Sequence, residues 1–219
     1  EQKKPENDDT SLYQIFERIN TSGRSLTPQE IRNCVYQGTF NSLLFELNKN
    51  EIWRNLFGTV DLDSRMRDIE YILRFFVMKT DDILTSSANK ISLKKSLNTF
   101  MGNHKNDATK VLEEFRDEFL HTIQLVNRSI GKNAFKNFTQ NGFSKKFHPA
   151  IFDAIMVSLF LIDKRGYDVC TISEKKHQEL LTNEQFKCAV SKQTTNIKNI
   201  KKRIQLTGEI LFGVDINEE

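Results

Sequence analysis

The chain has 219 residues, enough for one domain with a full hydrophobic core, and its 38% hydrophobic and 28% charged residues exclude a disordered chain. Nine Gly and three Pro are too few turn-formers for a sandwich or barrel, so the composition points to a helix-rich body. A net charge of +3 identifies no partner, and the longest apolar stretch, from Ala154 to Ile162, is too short to span a membrane.

Glu1 to Asp9 is a charged lead-in. A short helix is predicted from about Ser11 to Ile19, capped by Asp9 or Thr10, with Leu12, Ile15, Phe16 and Ile19 on its inward face. Gly23 ends the turn after it. Thr27-Pro28-Gln29-Glu30 then carries the clearest local signal: a cap, a proline at the first helical position and a glutamate that closes a capping box. That helix is expected to stop at Gly38. Two short helices follow, Phe40 to Lys49 and Glu51 to Phe57. A long one opens at Asp63 or Ser64 and runs to about Lys79, with Glu70 and Arg74 as an i,i+4 pair.

Thr80 to Lys90 reads as a loop with a helical turn, and Ser92 caps a helix to about Met101. Leu112, Phe115, Phe119, Ile123 and Val126 repeat at helical spacing to about Ile130. Lys132 to Phe147 reads as irregular or a short helix. Pro149 starts a helix to about Lys164 that is apolar nearly all round, as a central helix would be. Ser173 and Thr182 cap two short helices, and the last helix runs from about Thr195 to Phe212. No stretch alternates with period two over any length. The fold class is therefore all-α, a single irregular bundle of roughly 8–10 helices with little or no β.

The chemistry-bearing motifs are few. The sequence has no phosphate-binding glycine loop, no dinucleotide turn and no His-Glu-x-x-His, and its four histidines lack metal-ligand spacing, so no catalytic or metal residues are assigned. Cys34, Cys170 and Cys188, far apart and without a Cys-x-x-Cys pair, fit free thiols in a reducing cytosol. The chain opens at Glu1 without a Met or a signal peptide, which reads as a truncated or processed piece of a longer protein.

Two features stand out. At the first corner, the amides of the Thr27 helix N-terminus lie near Arg18, Arg24 and Arg32, a combination that favours phosphate or carboxylate; the other reading is a capped corner with solvated arginines. The second feature is charge segregation. Between Arg128 and Asp153 every ionisable group is basic, with Lys145 and Lys146 among Phe135, Phe138, Phe143 and Phe147; between Glu184 and Glu209 lie Lys198, Lys201, Lys202 and Arg203. Such runs can follow a phosphate backbone, or the phenylalanines are core and the lysines a solvated face. Asp68 and Asp153 lie beside apolar stripes, where a buried brace to an arginine is a better reading than a catalytic acid.

The run Phe16-x-Arg18-x-Asn20-x-x-Gly23-x-x-Leu26 followed by Thr27-Pro28-Gln29-Glu30-Ile31-Arg32-Asn33 resembles a block of the GmrSD-type family, also known as domain of unknown function 262. Arg65-Met66-Arg67-Asp68-Ile69-Glu70 with Leu73-Arg74-Phe75, and the closing helix from Thr194 to Ile204, are similar to later blocks. In that family these blocks follow a ParB-like α/β domain whose Asp-Gly-Gln-Gln-Arg motif is tied to nucleotide hydrolysis or nucleic-acid cleavage in bacterial defence against phage DNA. This sequence has no such motif and no His-Asn-His set, so by itself the chain is expected to be inactive.

The resemblance implies a helical C-terminal part of a cytoplasmic bacterial restriction protein. Residues 1–38 would form the corner that joins a ParB-like domain, and residues 39–219 a helical domain. It further implies that Arg18, Asn20, Gly23 and Arg24 face a phosphate or nucleotide, that a nucleotide and divalent metal belong to the parent rather than to this piece, and that DNA and a second copy are compatible partners. The rival expectation is a structural or protein-interaction module that binds no nucleic acid.

Overall fold

The computed structural model describes residues 9–19 and 25–216. Among them are twelve α-helices and one two-stranded hairpin, so the protein is all-α in class, with more helices than the sequence suggests. The first five helices are α1 (Asp9–Ile19), α2 (Pro28–Val35), α3 (Thr39–Leu47), α4 (Glu51–Phe57) and α5 (Arg67–Met78). They are followed by α6 (Asp81–Leu84), α7 (Leu93–Asn103), α8 (Thr109–Ser129), the hairpin β1 (Lys136–Thr139) and β2 (Gly142–Phe147), and α9 (Pro149–Lys164). Next come α10 (Glu174–Thr182), α11 (Glu184–Ser191) and α12 (Ile197–Thr207), the last running on as a π-helical turn over Gly208–Phe212.

Helix α9 is the axis. Ala150 to Leu159 and Ile162 are all buried, because α5, α8, α11 and α12 surround it. An aromatic cluster fills one end of the core: the Trp53 ring lies 5.7 Å from Phe152 and 5.8 Å from Phe119, in edge-on contacts. Trp53 donates to Asn48 Oδ1 at 2.9 Å, so its indole N–H is not stranded.

The capping box at α2 forms as its residue types require. Thr27 N donates to Glu30 Oε2 at 2.5 Å, and Glu30 N donates to Thr27 Oγ1 at 3.2 Å. Other boundaries move. Helix α2 ends at Val35, short of Gly38, and α5 begins at Arg67 after Met66, which sits in the left-handed region at φ 57°. Asp63 ends the preceding loop, its Oδ1 accepting from Arg65 N at 2.8 Å and its Oδ2 held by Arg67 at 2.6 Å. Asn183 rather than Thr182 caps α11, and Asn196 caps α12.

Residues 136–147 form an antiparallel hairpin, not an irregular or helical stretch. Thr139 pairs with Gly142 and Phe138 with Phe143, and Gly142 takes φ +92°, which a glycine accepts without a Cβ clash. The strands are held by their aromatics. Phe138 meets Phe143 at 5.1 Å, Phe147 stacks on Tyr71 at 4.6 Å, and Phe135 is buried against Phe152 at 4.9 Å. The phenylalanines of this basic stretch therefore serve packing.

The acids beside apolar stripes are braces. Asp68 Oδ2 accepts from Arg54 Nη1 at 2.7 Å, Asn48 Nδ2 at 3.0 Å and Asp63 N at 2.9 Å, so Arg54 is its cation. Glu70 and Arg74 do not pair with each other: Glu70 binds Arg32, and Arg74 binds Asp153.

Candidate anion-binding cleft

Helix α1 lies against α2 and α7, and among its described side chains Tyr13 is the one it buries, at 1% exposure. This differs from the expected inward face, since Leu12, Ile15 and Phe16 are 40–52% exposed. The reason is rotational: Tyr13 fills the space between α2 and α7, which turns positions 12, 15 and 16 outward. Lys94 Nζ sits 5.3 Å over the Tyr13 ring and binds both carboxylate oxygens of Glu17, at 2.5 and 2.7 Å.

Between α1 and the first turns of α7 is a cleft of about 620 Å³ whose walls include Arg18, Lys94, Lys95 and Ser92. Ser92 caps α7, its hydroxyl accepting from Lys95 N at 3.4 Å, so the positive end of the helix dipole adds to the cations. Glu17 offsets one positive charge, leaving the walls net cationic. Tyr13 also lines the cleft, and its buried hydroxyl has no hydrogen-bond partner. Burial raises the Tyr13 pKa against the lowering field of Arg32, so the hydroxyl is a neutral donor at any ordinary pH.

The floor is a closed polar network. Asn98, 5% exposed, accepts from Arg32 Nη1 at 3.3 Å; Arg32 also donates to Gln29 Oε1 at 2.8 Å and to Glu70 Oε2 at 2.5 Å. Arg32 is thus a buried structural residue, not a solvated or anion-binding one. Nor is the start of α2 the open anion site that the sequence suggests. The Glu30 carboxylate occupies it, with Arg65 Nη1 3.5 Å away and Arg65 Nη2 donating to Ser25 O at 2.8 Å. The group that gathers Arg18 is α7, far along the chain.

Of the other residues singled out in the sequence, Asn20, Gly23 and Arg24 lie outside the described residues. Lys145 and Lys146 are exposed on β2. Lys198, Lys201 and Lys202 form one side of α12 and line a second cleft. Arg203 leaves that set: it is 0% exposed and donates to Asp153 Oδ2 at 2.9 Å and to Thr194 O at 2.8 Å. Its position three residues after Ile200 places it on the buried stripe of α12. Lys94 and Lys95 were missed because nothing in the local sequence ties them to Arg18. Among the described residues no three potential metal ligands converge, the cysteines are exposed free thiols, and no helix is long and apolar enough to cross a membrane.

Compared with known proteins, the chain matches no family model, no curated protein and no solved structure.

Proposed function

We propose that this chain is the helical, phosphate-handling part of a GmrSD-like restriction protein, working beside a ParB-like catalytic module that the chain does not itself contain. The observation that carries the reading is the convergence of Arg18 and Lys95 with the capped start of α7 on one concave, net cationic cleft. A guanidinium, an ammonium and a helix dipole are together suited to a phosphate. Arg18 is also a fixed position of the block that resembles the family. The outward Leu12, Ile15 and Phe16 supply an apolar contact for an adjoining module.

That same face favours a second reading, a protein-interaction module without nucleic-acid binding. Fluorescence polarisation with labelled DNA and a labelled nucleotide separates them. The first reading expects binding that weakens steeply with salt and drops about tenfold in Arg18→Ala, the loss of one charge-assisted contact. Absence of binding at low salt, or an affinity indifferent to Arg18, leaves the second.

A further inference from the structure

We propose that the Arg18 cleft is one half of a track for a single phosphodiester strand, the other half being the lysine-lined cleft at the start of α12; this rests on the phosphate-handling reading above. The second cleft has a volume of about 470 Å³ and is built from residues 86–89 and the first two turns of α12. Lys198, Lys201 and Lys202 line it and no carboxylate does. Their spacing is the cause: positions 198, 201, 202 and 205 share one helix face, while Ile197, Ile200 and Ile204 take the core. Lys201 Nζ donates to Ser86 O at 2.9 Å, which holds the loop as the cleft's far wall. Among the described residues none of the three lysines has an ion-pair partner.

The two clefts are joined by backbone. Lys90 forms an isolated antiparallel bridge with Asn196, Ile91 N donates to Thr195 O at 3.0 Å, and Ile197 N donates to Asn89 O at 3.2 Å. Helix α7 starts just past one end of this bridge and α12 at the other, each capped by its own side chain. Asn89 borders one cleft and Ser92 the other, three residues apart, so the divide is at most about 11 Å of extended chain. A single strand of a few nucleotides is long enough to cross that divide. Exposed Lys90 sits on the divide. A single strand can dip phosphates into two recesses this close, whereas a duplex holds its phosphates on a stiff convex surface.

The test is polarisation of labelled oligothymidylates, a dimer against an octamer, across a salt series. The wild-type chain should bind the octamer well above the dimer. Lys198→Glu/Lys202→Glu should weaken the octamer about tenfold or more, lower its salt slope by about 1.4, and leave the dimer unchanged. Neither side chain makes a described hydrogen bond, and a circular dichroism melt matching wild type confirms the fold; Lys198→Gln/Lys202→Gln should give a smaller loss in the same direction. The dimer is too short to cross the divide and so reports on the Arg18 cleft alone. Failure of the phosphate-handling reading shows as a dimer that ignores Arg18→Ala. The track is overturned by an octamer that binds no better than the dimer, or whose affinity and salt slope ignore the lysine reversal.

Discussion

Arg203 and Asp153 are both wholly buried and meet at 2.9 Å, with Arg74 Nη2 closing on the same carboxylate oxygen at 2.5 Å. One acid on the central helix thus ties α5 to α12. The two pairings are unequal in consequence. Removing Arg203 leaves a balanced Arg74–Asp153 pair, whereas removing Asp153 leaves two guanidiniums facing each other without a counter-charge. Asp153→Ala is therefore expected to cost about 3–5 kcal/mol, and Arg203→Met clearly less. On a chain of this size that is a fall in Tm of about 6–20 °C for Asp153→Ala, measurable by circular dichroism. Equal losses in the two variants would contradict this account of the charges.

His177 gives the fold a pH dependence. Its ring stacks on Phe143 at 5.5 Å, it is 3% exposed, and burial pushes its pKa down to about 4 despite a hydrogen bond that the ring donates to the Ala134 backbone, which acts the other way. The folded pKa lies below the usual histidine value, so the unfolded chain binds the extra proton first. Stability contributed by the neutral ring is full above about pH 7 and is lost as pH falls toward 4. Between pH 7 and pH 5 the loss is about 2 kcal/mol. His148 is lowered too, by burial and then by Arg203, and adds in the same direction. Urea unfolding at the two pH values should show the decline, and His177→Gln should flatten it.

Gly38 is required by a close approach. A Cβ there would stand 2.1 Å from Lys105 O and 2.8 Å from Asn106 Oδ1, so the start of α3 could no longer lie against the turn after α7. The first of these atoms is backbone and cannot swing aside. Gly38→Ala is expected to destabilise by about 1–3 kcal/mol as an overpacking change, read as a lower urea midpoint with an unchanged slope.

Much of this architecture is legible along the chain because its cause is local. The Thr27 capping box and the all-apolar α9 follow from residues within one or two turns of each other. The hairpin was legible in part: Asn141-Gly142 is a turn signal, yet the lysines and asparagines around it hide the alternation of Phe138, Phe143 and Phe147. The arginines show the limit of counting charge. Arg32 and Arg203 look like surface cations in composition, but each occupies the buried side of its helix and meets an acid from a distant helix, Glu70 or Asp153. Arg18 was visible as a candidate, whereas the other residues of its cleft were not. Lys94, Lys95 and Ser92 reach it only through the packing of α1 on α7.

Tyr13 carries an unpaired polar group into the core. A buried hydroxyl with no hydrogen-bond partner has lost its water without compensation, and its removal should relieve that penalty. Tyr13→Phe keeps the ring under Lys94 Nζ and the packing of α1, so Tm should stay level or rise, by the equivalent of about 1 kcal/mol. The hydroxyl is sealed from solvent, so the same variant should leave the affinity for a labelled nucleotide unchanged, whereas Arg18→Ala lowers it. Tyr13→Ala supplies the contrast, since it empties the space between α2 and α7 and should cost about 3–5 kcal/mol. Thermal melts of the three proteins decide the matter: a Tm for Tyr13→Phe well below wild type would show that the hydroxyl has a partner.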